Sequence, residues 1–266
     1  MLSNLHQHTT FCDGKSSAEE VVISAIDKGF SSIGFSGHGY TPFDLAYCMT
    51  DTDGYISEIN RLKSEYRNKI EIYLGCEEDI FNPCNRSKFE YVIGSSHYFQ
   101  KNGKYYPIDL STEGFCECVK LFNGNMLELA DCYYSEFVGY LKKRKPDIIG
   151  HFDLITKFEE VGAPTLLKNE GYHELCARYA IEACRVGSIF EVNTGAISRG
   201  YRKFPYPDER LLYILKKEDA KVTISSDCHH KDSIDCFFKE TRELLRDIGF
   251  EYIYQLYGGE FVKDYL

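Results

Sequence analysis

The sequence lacks the features of a membrane or secreted protein. No segment approaches the ~18 consecutive apolar residues that a membrane-spanning helix needs. The first residues include Ser3, Asn4 and His6, where a signal peptide would be apolar. The 11 cysteines include no CxxC pair, which favours reduced thiols over a disulfide framework. We therefore expect a cytoplasmic protein with no membrane partner.

Positive charge is also scarce. The chain has 31 lysines and arginines against 41 aspartates and glutamates, a formal net charge of −10. Proteins that bind long DNA or RNA gain most of their affinity from cations that displace condensed counterions. We therefore expect no nucleic-acid track as a partner. A small phosphate stays compatible with this charge, because bound divalent metals would cancel part of it locally.

No linker, internal repeat or long polar tract divides the chain. Its 266 residues exceed the usual length of a domain, but α/β barrels reach this size around one core. The apolar content of 43% is enough to offset the entropy of ordering the chain. We therefore expect a single domain over residues 1–266.

Short apolar runs alternate with helical patterns, which is typical of βαβ units around a parallel sheet. Seven strands are predicted, at 2–6, 32–36, 70–75, 91–95, 147–150, 188–193 and 221–225. Helices are predicted at 17–28, 54–67, 113–143, 169–186, 208–217 and 233–248, with a break at Asn123-Gly124. The first helix opens on the capping-box residue Ser17. Asn102-Gly103 predicts the turn of a short hairpin between 98 and 109.

Most of the predicted strands end in or next to histidine, glutamate or aspartate. These strand-end residues are His6, His8, His38, Glu77, His97, His151, Asp227 and His229. Loops after the carboxyl ends of parallel barrel strands open on one face, so these side chains are expected to meet. A lone histidine at a strand end is usually structural, but buried charges in such number are costly unless they are paired or metal-bound. The set predicts a centre for Zn, Mn or Fe, which accept nitrogen and carboxylate ligands.

Alternation along an extended segment separates these ligands from their neighbours. His6 and His8 are two residues apart, so both point to the same side and can share one cation. Asp227 and His229 repeat this spacing on the last strand. Cys228 between them is expected to point away, which argues against a cysteine nucleophile.

The strand-end residues stand in an ordered series of short motifs. The motifs are His6-Gln-His8-Thr-Thr-Phe-Cys-Asp13-Gly, Ser-Gly-His38-Gly, Gly-Cys-Glu77, Gly-Ser-Ser-His97, Gly-His151-Phe-Asp153 and Ser-Asp227-Cys-His229. In this order they resemble the polymerase and histidinol phosphatase (PHP) family, over positions 6–229. The segments 8–15 and 150–157 resemble its histidinol-phosphatase branch. The resemblance implies a distorted (β/α)7 barrel in the α/β class.

The resemblance also implies a site for two or three divalent metal ions, which would be Zn, Mn or Fe. The first would be held by His6, His8, Glu77 and Asp227, the second by Asp13, His38 and His229, and the third by Glu77, His97 and His151. Glu77 would bridge. Asp13 stands where some relatives have histidine, and its anionic oxygen favours Mn or Fe over Zn at the second position.

The reaction implied by this resemblance is hydrolysis of L-histidinol phosphate to L-histidinol and inorganic phosphate in histidine biosynthesis. Hydroxide held between metals would attack the phosphate, because bound cations lower the pKa of water and polarise phosphoryl oxygens. Asp227 or His229 is the predicted catalytic residue that carries a proton to the leaving oxygen.

Three residues outside the metal set are predicted to bind the substrate. Asn193 ends the run Phe-Glu-Val-Asn, Arg199 follows in a glycine-flanked loop, and Lys157 follows the motif of the fifth strand. Arg199 is expected to fork onto phosphate oxygens. The alternative for Arg199 is a solvated loop position, which is the position expected of Arg202.

Two other functions stay open at this stage. The substrate could be another small phosphate ester, a nucleotide or an oligonucleotide, because metal geometry alone does not select the leaving group. The chain could also be a metal-binding or regulatory protein without turnover. Structural zinc sites are usually closed and rich in cysteine, which counts against this last alternative.

Overall fold

Parallel strands form the frame of the molecule in the computed structural model, which describes residues 2–266. The strands are β1 (Ser3–Asn4), β2 (Ser32–Phe35), β3 (Glu71–Asp79), β4 (Tyr91–Ser95), β5 (Tyr98–Lys101), β6 (Lys104–Pro107), β7 (Ile148–Ile149), β8 (Ile189–Asn193), β9 (Val222–Ser225), β10 (Tyr252–Tyr257) and β11 (Glu260–Tyr265). Seven of them pair in parallel in the order β1-β2-β3-β4-β7-β8-β9. A parallel bridge between Gln7 and Cys228 brings the first and last strands together. The sheet is thus nearly closed, which confirms the distorted (β/α)7 barrel.

Helices surround this sheet. They are α1 (Ala18–Asp27), α2 (Thr52–Glu65), α3 (Thr112–Lys120), α4 (Met126–Arg144), α5 (Glu170–Cys184), α6 (Gly195–Ser198), α7 (Glu209–Lys217) and α8 (Phe238–Ile248). Ser17 caps α1 in the predicted capping box. Asn123 and Gly124 have φ angles of 54° and 84°, so the predicted break separates α3 from α4. Across residues 2–266, no helix has the length and apolar character needed to span a bilayer.

Strand β3 is longer than predicted, and this difference bears on the site. The predicted strand ended at residue 75, but pairing with β4 continues through Glu77 opposite Ile93 to Asp79 opposite Ser95. Glu77 therefore lies inside a strand instead of in a loop after it. A ladder on both sides holds its backbone rigidly, because Glu77 also bridges to His38.

Two antiparallel hairpins extend the barrel. The predicted hairpin is present as β5 and β6, which turn at Asn102-Gly103. The hairpin of β10 and β11 at the end of the chain was not predicted. Its Leu256 packs in a cluster with Tyr91 and other residues that begin the barrel strands. This hairpin therefore covers the end of the barrel opposite the carboxyl ends of the strands.

Glu78 anchors the outer side of β3 to helix α4. Neighbouring residues in a strand face opposite sides, so Glu78 points away from Glu77. Its carboxylate accepts hydrogen bonds from Arg144 at 2.7 and 2.9 Å, from the Cys84 backbone at 2.8 Å and from the Tyr140 hydroxyl. Burial acts to raise the pKa of Glu78, but the hydrogen bonds from Arg144 and Tyr140 outweigh it and lower that pKa.

We expect Glu78→Gln to lower the free energy of unfolding by about 2 kcal/mol at neutral pH, because Arg144 loses a buried anionic partner. This loss of stability is smaller than that expected for a fully buried ion pair, because 27% of the Arg144 side chain is exposed. Folding lowers the pKa of this carboxylate from its unfolded-state value of about 4.3. The carboxylate therefore stabilises the folded protein fully above that pH, and this contribution is lost as the pH falls through the folded-state pKa. The difference between the two proteins in urea unfolding should therefore shrink from neutral pH towards about pH 3. A difference independent of pH would contradict the ionised pair.

Candidate metal centre

The predicted ligand residues meet at the carboxyl ends of the barrel strands. Atoms that could bind a metal lie within 4.8 Å of one another in four overlapping groups: His8, Asp13, His38 and His229; His6, Glu77 and His151; His6, His8 and Asp227; His38, Glu77 and His97. Residues from distant parts of the chain therefore share one centre. All are buried except Asp13 and His229, which lie at its rim.

Glu77 is the central carboxylate of this centre. Its Oε2 lies 3.1 Å from Nε2 of His6 and 2.8 Å from Nδ1 of His38. Its Oε1 lies 3.0 Å from Nε2 of His151 and 3.5 Å from Nε2 of His97. Burial acts to raise the pKa of Glu77, but the surrounding imidazoles lower it well below its usual value. Oε1 of an ionised Glu77 thus faces two imidazoles, and its Oε2 faces three, with Nε2 of His8 as the third at 3.5 Å, as a bridging ligand would.

The residues present fit divalent cations. Nε2 of His6, Nε2 of His8 and Oε2 of Glu77 are buried and make no hydrogen bond with the described residues. Buried polar atoms usually have partners, so these converging lone pairs fit the coordination of a cation. The ligand atoms are imidazole nitrogens and carboxylate oxygens, which suit Zn, Mn or Fe. The centre therefore fits two or three such ions.

The groups agree only in part with the ligand sets implied by the resemblance. His6, His8 and Asp227 come together as expected, with Nε2 of His8 3.2 Å from Oδ1 of Asp227. The group around Asp13 contains His8 in addition to the expected histidines. The third expected set is divided between two groups, because His151 groups with Glu77 and His6, whereas His97 groups with Glu77 and His38.

Two carboxylates behind the centre were not predicted. Oε1 of Glu191 on β8 lies 2.6 Å from Nδ1 of His6, and its Oε2 accepts from the backbone of His151 at 2.8 Å. Oδ2 of Asp79 accepts from the backbone of His97 at 3.1 Å and lies 3.5 Å from its Nδ1. A carboxylate on one ring nitrogen orients the other towards a metal. The signal for Glu191 was an acid inside the apolar run Ile-Phe-Glu-Val, where a charge needs a partner.

We expect Glu191→Gln to weaken metal binding by ~10- to 100-fold, because His6 loses the anion that orients its ring. The measurement is competition with a chromogenic chelator. Glu243→Gln on the exposed side of α8 is the matched control and should leave the affinity unchanged. Equal affinities for the Glu191 variant and the control would contradict the orienting role.

A cavity of about 410 Å³ opens beside the metal centre. Arg199 and Lys157 line it, as predicted for residues that meet the substrate. Nη2 of Arg199 lies 3.1 Å from Oδ2 of Asp227, its Nη1 lies 2.8 Å from Nδ1 of His229, and its Nε is buried without a hydrogen bond. Nζ of Lys157 is held by Asp109, at 2.8 Å from the carbonyl and 3.0 Å from Oδ2.

Asn193 does not line this cavity, and its contact with substrate stays a prediction. Asn193 is fully buried and donates to Oε2 of Glu191 at 2.9 Å and to Oδ2 of Asp227 at 3.4 Å. Its side chain therefore holds Glu191 and Asp227 in place from behind the metal centre. The expectation of a solvated Arg202 was wrong, because Arg202 is 5% exposed and donates to Thr156 at 2.6 Å.

Cys228 is unsuited to act as a nucleophile. It is fully buried, and burial raises the pKa of its thiol to about 12. A thiolate is the reactive form of cysteine, so this side chain stays inert at neutral pH. Alternation along the last strand likewise argues against a cysteine nucleophile at this position.

Comparison with known proteins matches residues 4–195 to the PHP domain. A Schizosaccharomyces pombe protein named a probable histidinol-phosphatase is 29% identical, over 92% of this chain and 86% of its own. The histidinol-phosphatase of Bacillus subtilis is 26% identical, over 86% of this chain and 94% of its own. The fold is shared with histidinol phosphate phosphatase from Lactococcus lactis, solved with zinc, L-histidinol and phosphate, at a TM-score of 0.72 and 19% identity over 98% of this chain and 99% of that one. The match to the PHP domain covers most of the chain, and the chain therefore belongs to the PHP family.

Proposed function

We propose that the chain is a metal-dependent phosphatase that hydrolyses L-histidinol phosphate to L-histidinol and inorganic phosphate. The observation that carries this proposal is the set of overlapping histidine and carboxylate groups around Glu77. Several members of this set line a cavity that is large enough for a small metabolite. The reported relatives are named histidinol-phosphatases, and the Lactococcus lactis protein was solved with L-histidinol and phosphate. A role in histidine biosynthesis and a cytoplasmic location are part of the same proposal.

The metal ligands in this proposal are the nine predicted residues: His6, His8, Asp13, His38, Glu77, His97, His151, Asp227 and His229. Bound divalent ions would neutralise the charge of the phosphate and activate water for attack. The protein contributes rigid ligand positions, because strands hold Glu77 on both sides and carboxylates orient His6 and His97 from behind.

Arg199 is proposed to bind the phosphate. Its guanidinium lines the cavity beside Asp227 and His229, and its Nε has no partner among the described residues. A planar guanidinium can bind two oxygens of one phosphate. The Lys157 ammonium also lines the cavity, but Asp109 already neutralises it, so its contact with phosphate is the weaker part of the proposal.

Asp227 and His229 are the two proposed proton carriers. Burial acts to raise the pKa of Asp227, but Arg199 and His6 outweigh it and lower that pKa well below its usual value. An ionised carboxylate can accept a proton but has none to donate. Nδ1 of His229 accepts from the guanidinium of Arg199, which can only donate, and its Nε2 is a proposed metal ligand, so His229 can carry the proton only when one of these contacts opens.

The direct test measures phosphate release from L-histidinol phosphate, a generic aryl phosphate and a mononucleotide, with added Mn or Zn and after chelation. We expect a rate that chelation abolishes and that is far higher for L-histidinol phosphate. Comparable slow rates on all three esters would be consistent with a metal-dependent phosphoesterase but would refute L-histidinol phosphate as its specific substrate. A rate that survives complete metal removal would reject the mechanism.

A further inference from the structure

One carboxylate on the cavity wall has no basic partner. Four carboxylates line the cavity, those of Asp13, Asp44, Asp109 and Asp227. Three of them face a basic residue or a histidine of the metal centre, which are His38 and His229 for Asp13, Lys157 for Asp109 and Arg199 for Asp227. Within residues 2–266, Asp44 forms no ion pair with lysine, arginine or histidine. Its negative charge is therefore available to a ligand.

Neutral donors hold the Asp44 carboxylate in place. Oδ2 accepts from the Tyr98 hydroxyl at 2.7 Å, and Oδ1 accepts from the Ala46 backbone at 3.1 Å. These hydrogen bonds fix the orientation of the group without cancelling its charge. A carboxylate accepts about four hydrogen bonds, so each oxygen keeps capacity for a further donor.

Aromatic rings connect Asp44 to the metal centre along the cavity wall. The ring of Tyr47 lies edge-on to His38 with 4.7 Å between centroids, and 6.2 Å from the ring of Tyr98. Both tyrosines line the cavity. A fixed carboxylate beside tyrosine rings is a favourable environment for an organic cation. The cavity thus has two different regions, with Arg199 at the metal centre and an uncompensated anion beyond the tyrosine rings.

We propose that Asp44, with Tyr47 and Tyr98, forms a subsite for the positively charged group of the leaving alcohol. The inference rests on the proposed function, because it takes the phosphate to lie at the metal centre. A cationic phosphate monoester then matches both regions of the cavity, and a neutral ester matches only one. In L-histidinol phosphate the cation is the primary ammonium group or the protonated imidazole.

The test compares kcat/KM of the wild type, Asp44→Asn and the control Asp247→Asn on L-histidinol phosphate and on a neutral aryl phosphate. The oxygen of asparagine can accept from the Ala46 backbone, and its amide nitrogen can donate to the Tyr98 hydroxyl instead of accepting from it, so the shape of residue 44 is kept and its charge is removed. Asp44→Asn should lower kcat/KM for L-histidinol phosphate by ~10- to 100-fold, as expected for the loss of a charged hydrogen bond. Activity on the aryl phosphate should change less than ~2-fold, since that ester has no cation to bind. This activity also reports that the variant is folded. Asp247 is exposed on α8, and its variant should match the wild type.

Further esters identify which cation Asp44 binds. An analogue of L-histidinol phosphate without the amine should lose the dependence on Asp44 if the ammonium is bound, and should keep it if the imidazole is bound. An equal loss on cationic and neutral esters, or no loss on either, would overturn the subsite. A wild type without preference for L-histidinol phosphate would reject the proposed function as well. A wild-type preference that survives in Asp44→Asn would reject the subsite alone.

Discussion

Glu77→Gln should lower kcat/KM for L-histidinol phosphate by at least ~1000-fold, because metal ions contribute several kcal/mol of transition-state stabilisation. Each oxygen of Glu77 faces at least two imidazoles of the centre. An amide presents only one oxygen and no charge, so it cannot bridge cations in the same way. We therefore also expect fewer bound metal ions per chain, measured by elemental analysis after gel filtration.

The neighbouring residue offers a matched control for this variant. Glu78→Gln makes the same chemical change one position along β3, but Glu78 contacts Arg144 on the outer side of the sheet. It should be less stable than the wild type yet keep its metal content and most of its activity. A Glu77 variant with wild-type metal content and rate would contradict the central role of Glu77.

Arg199→Ala should lower kcat/KM by ~100-fold, since the partly buried guanidinium makes hydrogen bonds to charged groups, which contribute roughly 1.5 to 3 kcal/mol each. The guanidinium lies against Asp227 and His229 and lines the cavity, so its removal affects both phosphate binding and two metal ligands. Arg199→Lys keeps the charge but loses the planar fork, and should recover only part of the activity. Steady-state kinetics with separate KM and kcat values measure both variants.

Metal affinity separates the two roles of Arg199. If the guanidinium mainly binds phosphate, KM should rise while metal affinity stays near that of the wild type. If it mainly positions Asp227 and His229, metal affinity should fall as well. Arg246→Ala on the exposed side of α8 is the control for the loss of a surface charge. Kinetics of Arg199→Ala equal to those of this control would refute both roles.

The barrel was predictable because its local signals agree with its tertiary contacts. Most of the seven parallel strands are short apolar runs with polar or glycine residues at their ends, and the break at Asn123-Gly124 uses residues that tolerate positive φ. The hairpin at the end of the chain was missed although Gly258-Gly259 separates two runs of six residues. Two glycines at that spacing are a hairpin signal.

The first layer of the site was predictable, and the residues behind it were not. His6, His38 and Glu77 stand in strand-end motifs that a sequence displays directly. The role of Glu191 depends on its contacts with His6 and His151, which come from other strands, and the sequence does not reveal which residues these strands place beside β8. The burial of Arg202 depends likewise on Thr156, 46 positions earlier in the chain.

Metal-dependent hydrolysis is tested by a titration of metal into chelated protein. Phosphate release from L-histidinol phosphate and the number of bound metal ions per chain are measured at each step. We expect no release without metal and a rate that rises until two or three ions are bound to each chain. Full activity in protein shown by elemental analysis to contain no metal would rule out metal-dependent hydrolysis. Binding of two or three ions without any phosphate release would contradict the proposed activity while leaving the metal centre in place.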